Sequence, residues 1–224
     1  MPGTAKDKSA PTAAKSDTEA AAPRRRQARG ERRISQLLAA AAGVFCRTGY
    51  AAASTNAIAR EAGVSPGTLY QFFPNKEAIA IELGGQLLHR AQETHGQAFL
   101  PENLRRPLPE LLDAVLDPLI AFNCENPAFW ALMHGSGVPG MTQEHEELHS
   151  AMRARVRHAL STLSPEAAPA DLTRVSNMIL GIFKASLDLI LATPEGAERD
   201  AYVAELKTVL LRYLEPMVTT THSP

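Results

Sequence analysis

From Glu31 onward the apolar residues of this chain recur at three- and four-residue spacing, and no stretch shows the strict alternation of a half-buried strand. That pattern restricts the chain to an all-α fold. Ile34, Leu37, Leu38, Ala41, Phe45 and Thr48 predict an amphipathic helix over Glu31 to Thr48, closed by Gly49 in a left-handed conformation. Ser54 or Thr55 caps a second helix that ends at Glu61, before Gly63. Ser65 caps a third of about two turns, with Leu69 and Phe73 inward, and Pro74 ends it. Asn75 caps a long fourth helix from Lys76, which Gly84-Gly85 is expected to bend.

Two short helices joined by a glycine-containing turn, the second packed by one face only, form a helix-turn-helix whose second helix lies in the DNA major groove. The charge distribution agrees. Residues 1–76 hold 12 Lys/Arg against 5 Asp/Glu, +7, and residues 77–224 hold 11 against 19, −8. Arg24, Arg25, Arg26, Arg29, Arg32 and Arg33 fall within "RRRQARGERR", a density suited to a polyanion. Small residues at Ser65, Pro66, Gly67 and Thr68 let the backbone of the second helix approach a duplex. Tyr70 and Lys76 suit phosphate contacts, Gln71 an adenine edge, and Thr68 a thymine methyl.

The run "STNAIAREAGVSPGTLYQFFPNKEAI" resembles the DNA-binding signature of the TetR family of bacterial transcriptional regulators. The likeness rests on Thr-x-x-Ile-Ala, Ala-Gly-Val-Ser, Gly-Thr-Leu-Tyr, Phe and Asn-Lys-Glu, within Glu31 to Ile81. It implies an all-α protein with a three-helix DNA-binding domain, a connector helix, and a larger helical domain for effector binding and dimerisation. Carried over by position, it puts Thr55, Tyr70 and Lys76 on phosphates, with Pro66, Gly67, Thr68 and Gln71 near base edges; Ser54 and Ser65 cap beside them. Phe72 stands where relatives commonly place His or Tyr. Arg24, Arg25, Arg26 and Arg29 are expected to track into the neighbouring minor groove or neutralise phosphate.

The expected organisation is a disordered tail over residues 1–22, the basic arm and helix-turn-helix over 23–75, and the effector-binding and dimerisation domain over 76–224. Further helices are predicted over Leu108 to Asn123, with a kink at Pro118, from Pro127 to near Gly135, over Gln143 to Leu163, from Asp171 to Ala192, and from Glu198 to Leu214. The final two carry apolar residues on more than one face, which calls for two burying surfaces. One is the protein's own core. The other is assigned to a second copy through Val175, Ile179, Ile182, Leu206 and Leu210, giving a two-fold dimer by four-helix packing. Phe99, Phe122, Phe129, Trp130, Met133, Met152, Met178 and Phe183, with His134, Cys124 or Asn177 as polar handles, are candidates to line a pocket for a hydrophobic or aromatic effector.

These readings converge on a ligand-responsive repressor that binds a palindromic operator as a homodimer and is released by its effector; an activator of the same fold is the alternative. A different class enters through "HEELH", His145 to His149, which matches the H-E-x-x-H pattern of zinc proteases. No third histidine follows at the extended spacing, so no metal, cofactor or catalytic residue is assigned and the chain is read as not an enzyme. Cys46 and Cys124 lie in helical patterns without close partners and are expected to be buried thiols. No signal-like segment and no run of some twenty apolar residues is found, so the expected location is the cytoplasm, without a membrane partner.

Overall fold

The structure is a computed structural model that describes residues 16–134, 138 and 142–219. Among the described residues every regular element is a helix: α1 (Ser16–Ala52), α2 (Thr55–Glu61), α3 (Pro66–Tyr70), α4 (Lys76–Ala98), α5 (Pro101–Leu104), α6 (Leu108–Glu125), α7 (Pro127–His134), α8 (Thr142–Leu163), α9 (Pro169–Ala192) and α10 (Ala197–Thr219).

The caps explain why the amino-terminal helices start where they do. The Ser54 hydroxyl accepts from the Ala57 N–H (3.2 Å), the Ser65 hydroxyl from the Thr68 N–H (3.1 Å), and the Asn75 side-chain carbonyl from the Ala78 N–H (2.8 Å). Each satisfies a donor that the first helical turn leaves without a partner. Gly49 breaks the end of α1 at φ 71°, and Gly63 turns α2 into α3 at φ 65°, a backbone region that costs other L-residues about 1–2 kcal/mol. At the other end, α1 begins earlier than expected: the backbone is helical from Ser16, and residues 1–15 of the expected tail lie outside the described residues. Ala20, Ala21 and Ala22 favour a helix, and Asp17 and Glu19 stand near its positive end. Gly84 does not interrupt α4, which is continuous with that glycine buried, and α6 runs through Pro118.

Leu37, Ala41 and Phe45 of α1, Ile58 and Ala59 of α2, Leu69 of α3 and Ile79 of α4 are fully buried in one core. That core continues past Lys76 into Leu83, Leu87 and Ala91 and takes in Phe129, Leu132 and Met133 of α7. A second core joins α6, α8, α9 and α10 through Leu112, Leu116, Val156, Leu160, Ile190, Leu206, Leu210 and Leu214. The Lys207 ammonium, 2.8 Å from Asp113 and 2.6 Å from Asp117, ties α10 to α6. Leu206 and Leu210 therefore pack inside their own protomer, and their assignment to a dimer face is corrected. The large hydrophobic residues that α9 and α10 leave exposed are Met178 (49%), Leu189 (52%), Tyr202, Val209 and Tyr213. Ser176 of α9 is also buried and donates to Leu172 O at 2.7 Å.

Candidate functional site

At the amino-terminal end, α3 is anchored by Leu69 and by Phe73 just beyond it, both buried, while Ser65, Pro66, Gly67, Tyr70 and Gln71 are exposed and Thr68 is half-buried. One apolar edge thus holds the helix to the core and leaves its small-residue first turn on the surface. The Thr55 and Tyr70 hydroxyls lie 3.0 Å apart, joining α2 to α3. The pair uses one of its two hydrogens internally, so one O–H is left to donate outward, as a phosphate oxygen requires. Thr68 Oγ1 is 2.9 Å from Ser65 Oγ. Behind the turn, Gln36 donates to Ala62 O (2.6 Å) and Arg47 pairs with Glu61 (2.8 Å), contacts that no local pattern announces.

Lys76 has a structural engagement that the sequence reading missed. Its ammonium donates to Tyr50 O (2.8 Å) and Ala51 O (3.1 Å) and lies 4.6 Å from the Tyr50 ring centroid. The carbonyls left open at the Gly49 break receive its hydrogens, so two of its three donors are committed within the protein. Arg24, Arg25 and Arg26 lie along α1, with side chains outside the described residues, and Arg29 is exposed on the same helix.

The larger helices enclose a cavity of about 380 Å³ between α4, α6, α7, α8 and α9. Phe99, Phe129, Trp130, Met133, Met152, Asn177 and Phe183, all expected there, do line it. Phe122 does not: it is buried against Phe129, ring centroids 5.3 Å apart, in the amino-terminal core. Met178 is exposed on the outer face of α9, one helical step away from the wall residues Asn177 and Ile179. The side chain of His134 lies outside the described residues. Val175, Ile179 and Ile182 are half-buried against their own core, and Ile179 faces the cavity.

Among the wall residues that were not foreseen are two buried polar ones, His95 and Asn123. Burial first, then the Arg155 guanidinium and then His149 push the His95 imidazole down to about 4, so it is neutral at pH 7. Cys46 is exposed rather than buried. Cys124 is half-buried, its thiol pushed up mainly by burial. Of the HEELH run, His145 lies outside the described side chains and His149 borders the cavity; no group of three metal-binding side chains occurs among the described residues. α9 is long and apolar enough to span a membrane, although no run of twenty apolar residues was expected.

Two family models match the chain. Residues 37–83 match the bacterial regulatory proteins of the tetR family, and residues 107–214 the Tetracyclin repressor-like C-terminal domain, together more than half of the sequence. The chain belongs to the TetR family. Members of this family are non-enzymatic, soluble DNA-binding transcription factors, which sets aside the hydrolase reading of HEELH. Over 62 residues the chain is 40% identical to the Fatty acid metabolism regulator protein of Bacillus subtilis (strain 168), covering 26% of this chain and 32% of that one. It is 34% identical over 82 residues to the uncharacterised HTH-type transcriptional regulator YhgD of the same strain, covering 34% and 43%. The chain thus spans less than half the length of these curated relatives. Among solved structures, a TetR-like regulator from Rhodococcus sp. RHA1 aligns with a TM-score of 0.62 at 22% identity, over 82% of this chain and 96% of that one. The fatty acid degradation regulator FadR from Bacillus halodurans aligns at 0.60 and 20%, over 80% and 94%. At these identities the likeness is one of fold.

Proposed function

We propose that this TetR-family regulator is a cytoplasmic repressor that holds a palindromic operator as a two-fold dimer and releases it when an apolar small molecule fills the cavity. The observation that carries the reading is the double engagement of α7. Phe129, Trp130 and Met133 form cavity wall, and the same helix packs along α1 of the DNA-binding part. A ligand that favours one position of α7 acts on α1, and through the shared core on α3, which is the differential interaction that coupling between two sites requires. Met178, Leu189, Val209, Tyr202 and Tyr213 support a dimer face on α9 and α10, in place of the buried leucines. On this reading Thr55 and Tyr70 hold phosphate, Gln71 and Thr68 face base edges, and the domain boundary lies near Lys76. The regulator of fatty acid metabolism among the relatives is in keeping with an apolar effector.

The experiment measures operator affinity by fluorescence anisotropy with and without cavity ligands. A ligand that weakens operator binding at least tenfold supports the reading. Tight binding in the cavity with unchanged operator affinity refutes release.

A further inference from the structure

Among the described residues every ionisable side chain on the cavity wall is basic: His95, His149, Arg153 and Lys184 border it, and no Asp or Glu does. In a chain with more carboxylates than Lys and Arg, such a lining is selective. Trp130 donates its indole N–H to Asp188 at 2.8 Å, and Asp188 is not part of the wall. Two buried nitrogens point the same way: Nδ1 of His95 and a guanidinium nitrogen of Arg155 have no hydrogen-bond partner among the described residues, while the third such atom, Oδ1 of Asn123, is an acceptor that calls for a donor rather than an anion. His95 and Asn123 face the cavity, and Arg155 lies close enough to act on the charge of His95. Buried polar atoms without partners cost free energy that a ligand's polar group can return. Most of the rest of the wall is a sleeve of Leu, Ile, Val, Met and Phe side chains.

We infer that the cavity takes a single-chain amphiphile with an anionic head, the head held by His95 with Arg155 and His149 behind it, and the hydrocarbon chain lying in the apolar sleeve. The inference deepens the effector reading above and rests on it only for the use of the cavity. An anion in this position meets donors from α4 and α8 and, among the described residues, no opposing carboxylate on the wall. A cation of the same shape meets the like charges of Arg153, Arg155 and Lys184. Neutral His95 either donates from Nδ1 or, once the anion offsets the nearby positive charge, takes up a proton and donates as imidazolium.

The single tryptophan of the chain stands on the cavity wall, so its fluorescence reports occupancy without DNA. The test titrates the full-length protein with decanoate, decan-1-ol and decylammonium below their micelle concentrations. Decanoate is expected to bind at least tenfold more tightly than decanol, with decylammonium weakest, because hydrogen bonds to a charged partner outweigh neutral ones by about that factor. Lengthening the carboxylate tightens binding by about fourfold per methylene until the sleeve is full. His95→Leu removes most of the preference of decanoate over decanol and leaves decanol binding within about twofold, and Arg155→Leu reduces the same preference. Since His95→Leu could perturb folding, His95→Gln, which keeps a donor, is measured beside it and retains more of the preference; thermal melts by circular dichroism confirm that the variants are folded. Equal binding of the three probes, a preference for decylammonium, or the same carboxylate preference in folded His95→Leu overturns the inference. The two readings fail separately. If decanoate is preferred but operator affinity is unchanged, the headgroup site stands and the effector reading falls. If a molecule without an anionic head fills the cavity and releases the operator while decanoate does not bind, the effector reading stands and the headgroup site falls.

Discussion

Acid should destabilise this protein through His95, and the size of the effect follows from its surroundings. The imidazole is buried in the cavity wall and held down to about 4, first by burial, then by Arg155 and His149, against an ordinary value of about 6.5 in an unfolded chain. Between those two values the unfolded state binds a proton that the folded state refuses. The sign is therefore fixed: the contribution is complete above about pH 6.5 and is lost as the pH falls toward 4, with a limiting slope of about 1.4 kcal/mol per pH unit. Across the window the loss comes to about 3 kcal/mol, a large share of the 5–15 kcal/mol typical of a folded domain. Many carboxylates titrate in the same range, so the informative quantity is the difference between wild type and His95→Leu. Urea unfolding followed by circular dichroism, at fixed protomer concentration and at intervals from pH 7.5 to 4, supplies it. Wild type should lose about 3 kcal/mol more than the variant over that range. Parallel curves for the two proteins would refute the reasoning about His95.

Three further outcomes follow from the geometry. A Cβ built on Gly67 has Ser65 Oγ at 3.9 Å as its nearest neighbour, so Gly67→Ala should leave the melting temperature unchanged or raised yet weaken operator binding at least tenfold in a mobility-shift assay, since only the duplex crowds that methyl. Leu189→Glu with Val209→Lys on the exposed face of α9 and α10 should convert the dimer into a monomer by light scattering while the helical circular dichroism signal persists; a dimer that survives both moves the interface elsewhere. Deleting residues 1–29 should flatten the slope of log affinity against log salt by roughly 0.9 for each phosphate lost, and an unchanged slope removes the basic segment from the interface.

The amino-terminal helices were legible because their signals are local. Ser54, Ser65 and Asn75 each stand three residues before the N–H they cap, and Gly49 and Gly63 occupy the positive-φ positions where their breaks were expected. Contacts between distant residues left no such trace. Lys76 meets the carbonyl of Tyr50 from 26 positions away, and nothing in either neighbourhood distinguishes a lysine aimed at DNA from one aimed at a helix end. The helices α9 and α10 show a related limit. Apolar residues on two faces announce two burying surfaces without saying which belongs to the protomer, so Leu206 and Leu210 were given to a partner while Val209 and Tyr213 lie outside. The cavity was half legible for the same reason. Its aromatic and methionine wall could be guessed from bulk, but Phe122 and Met178 differ from true wall residues only in the direction of one helical step. His95 looked like any histidine in an amphipathic helix, and its importance arises from Arg155 and His149 on a helix that begins some fifty residues later.

The central claim is that α3 reads a duplex as one of a two-fold pair. Selection of binding sites from a random DNA pool by the purified full-length protein tests it most directly, with Thr68→Ala and Gln71→Ala run in parallel. The account predicts an enriched inverted repeat whose half-site centres are about one helical turn or a multiple of it apart, with base preference relaxed in each variant at the positions facing α3. Absence of any enriched sequence, or a single unpaired site with preferences untouched by both substitutions, would contradict it.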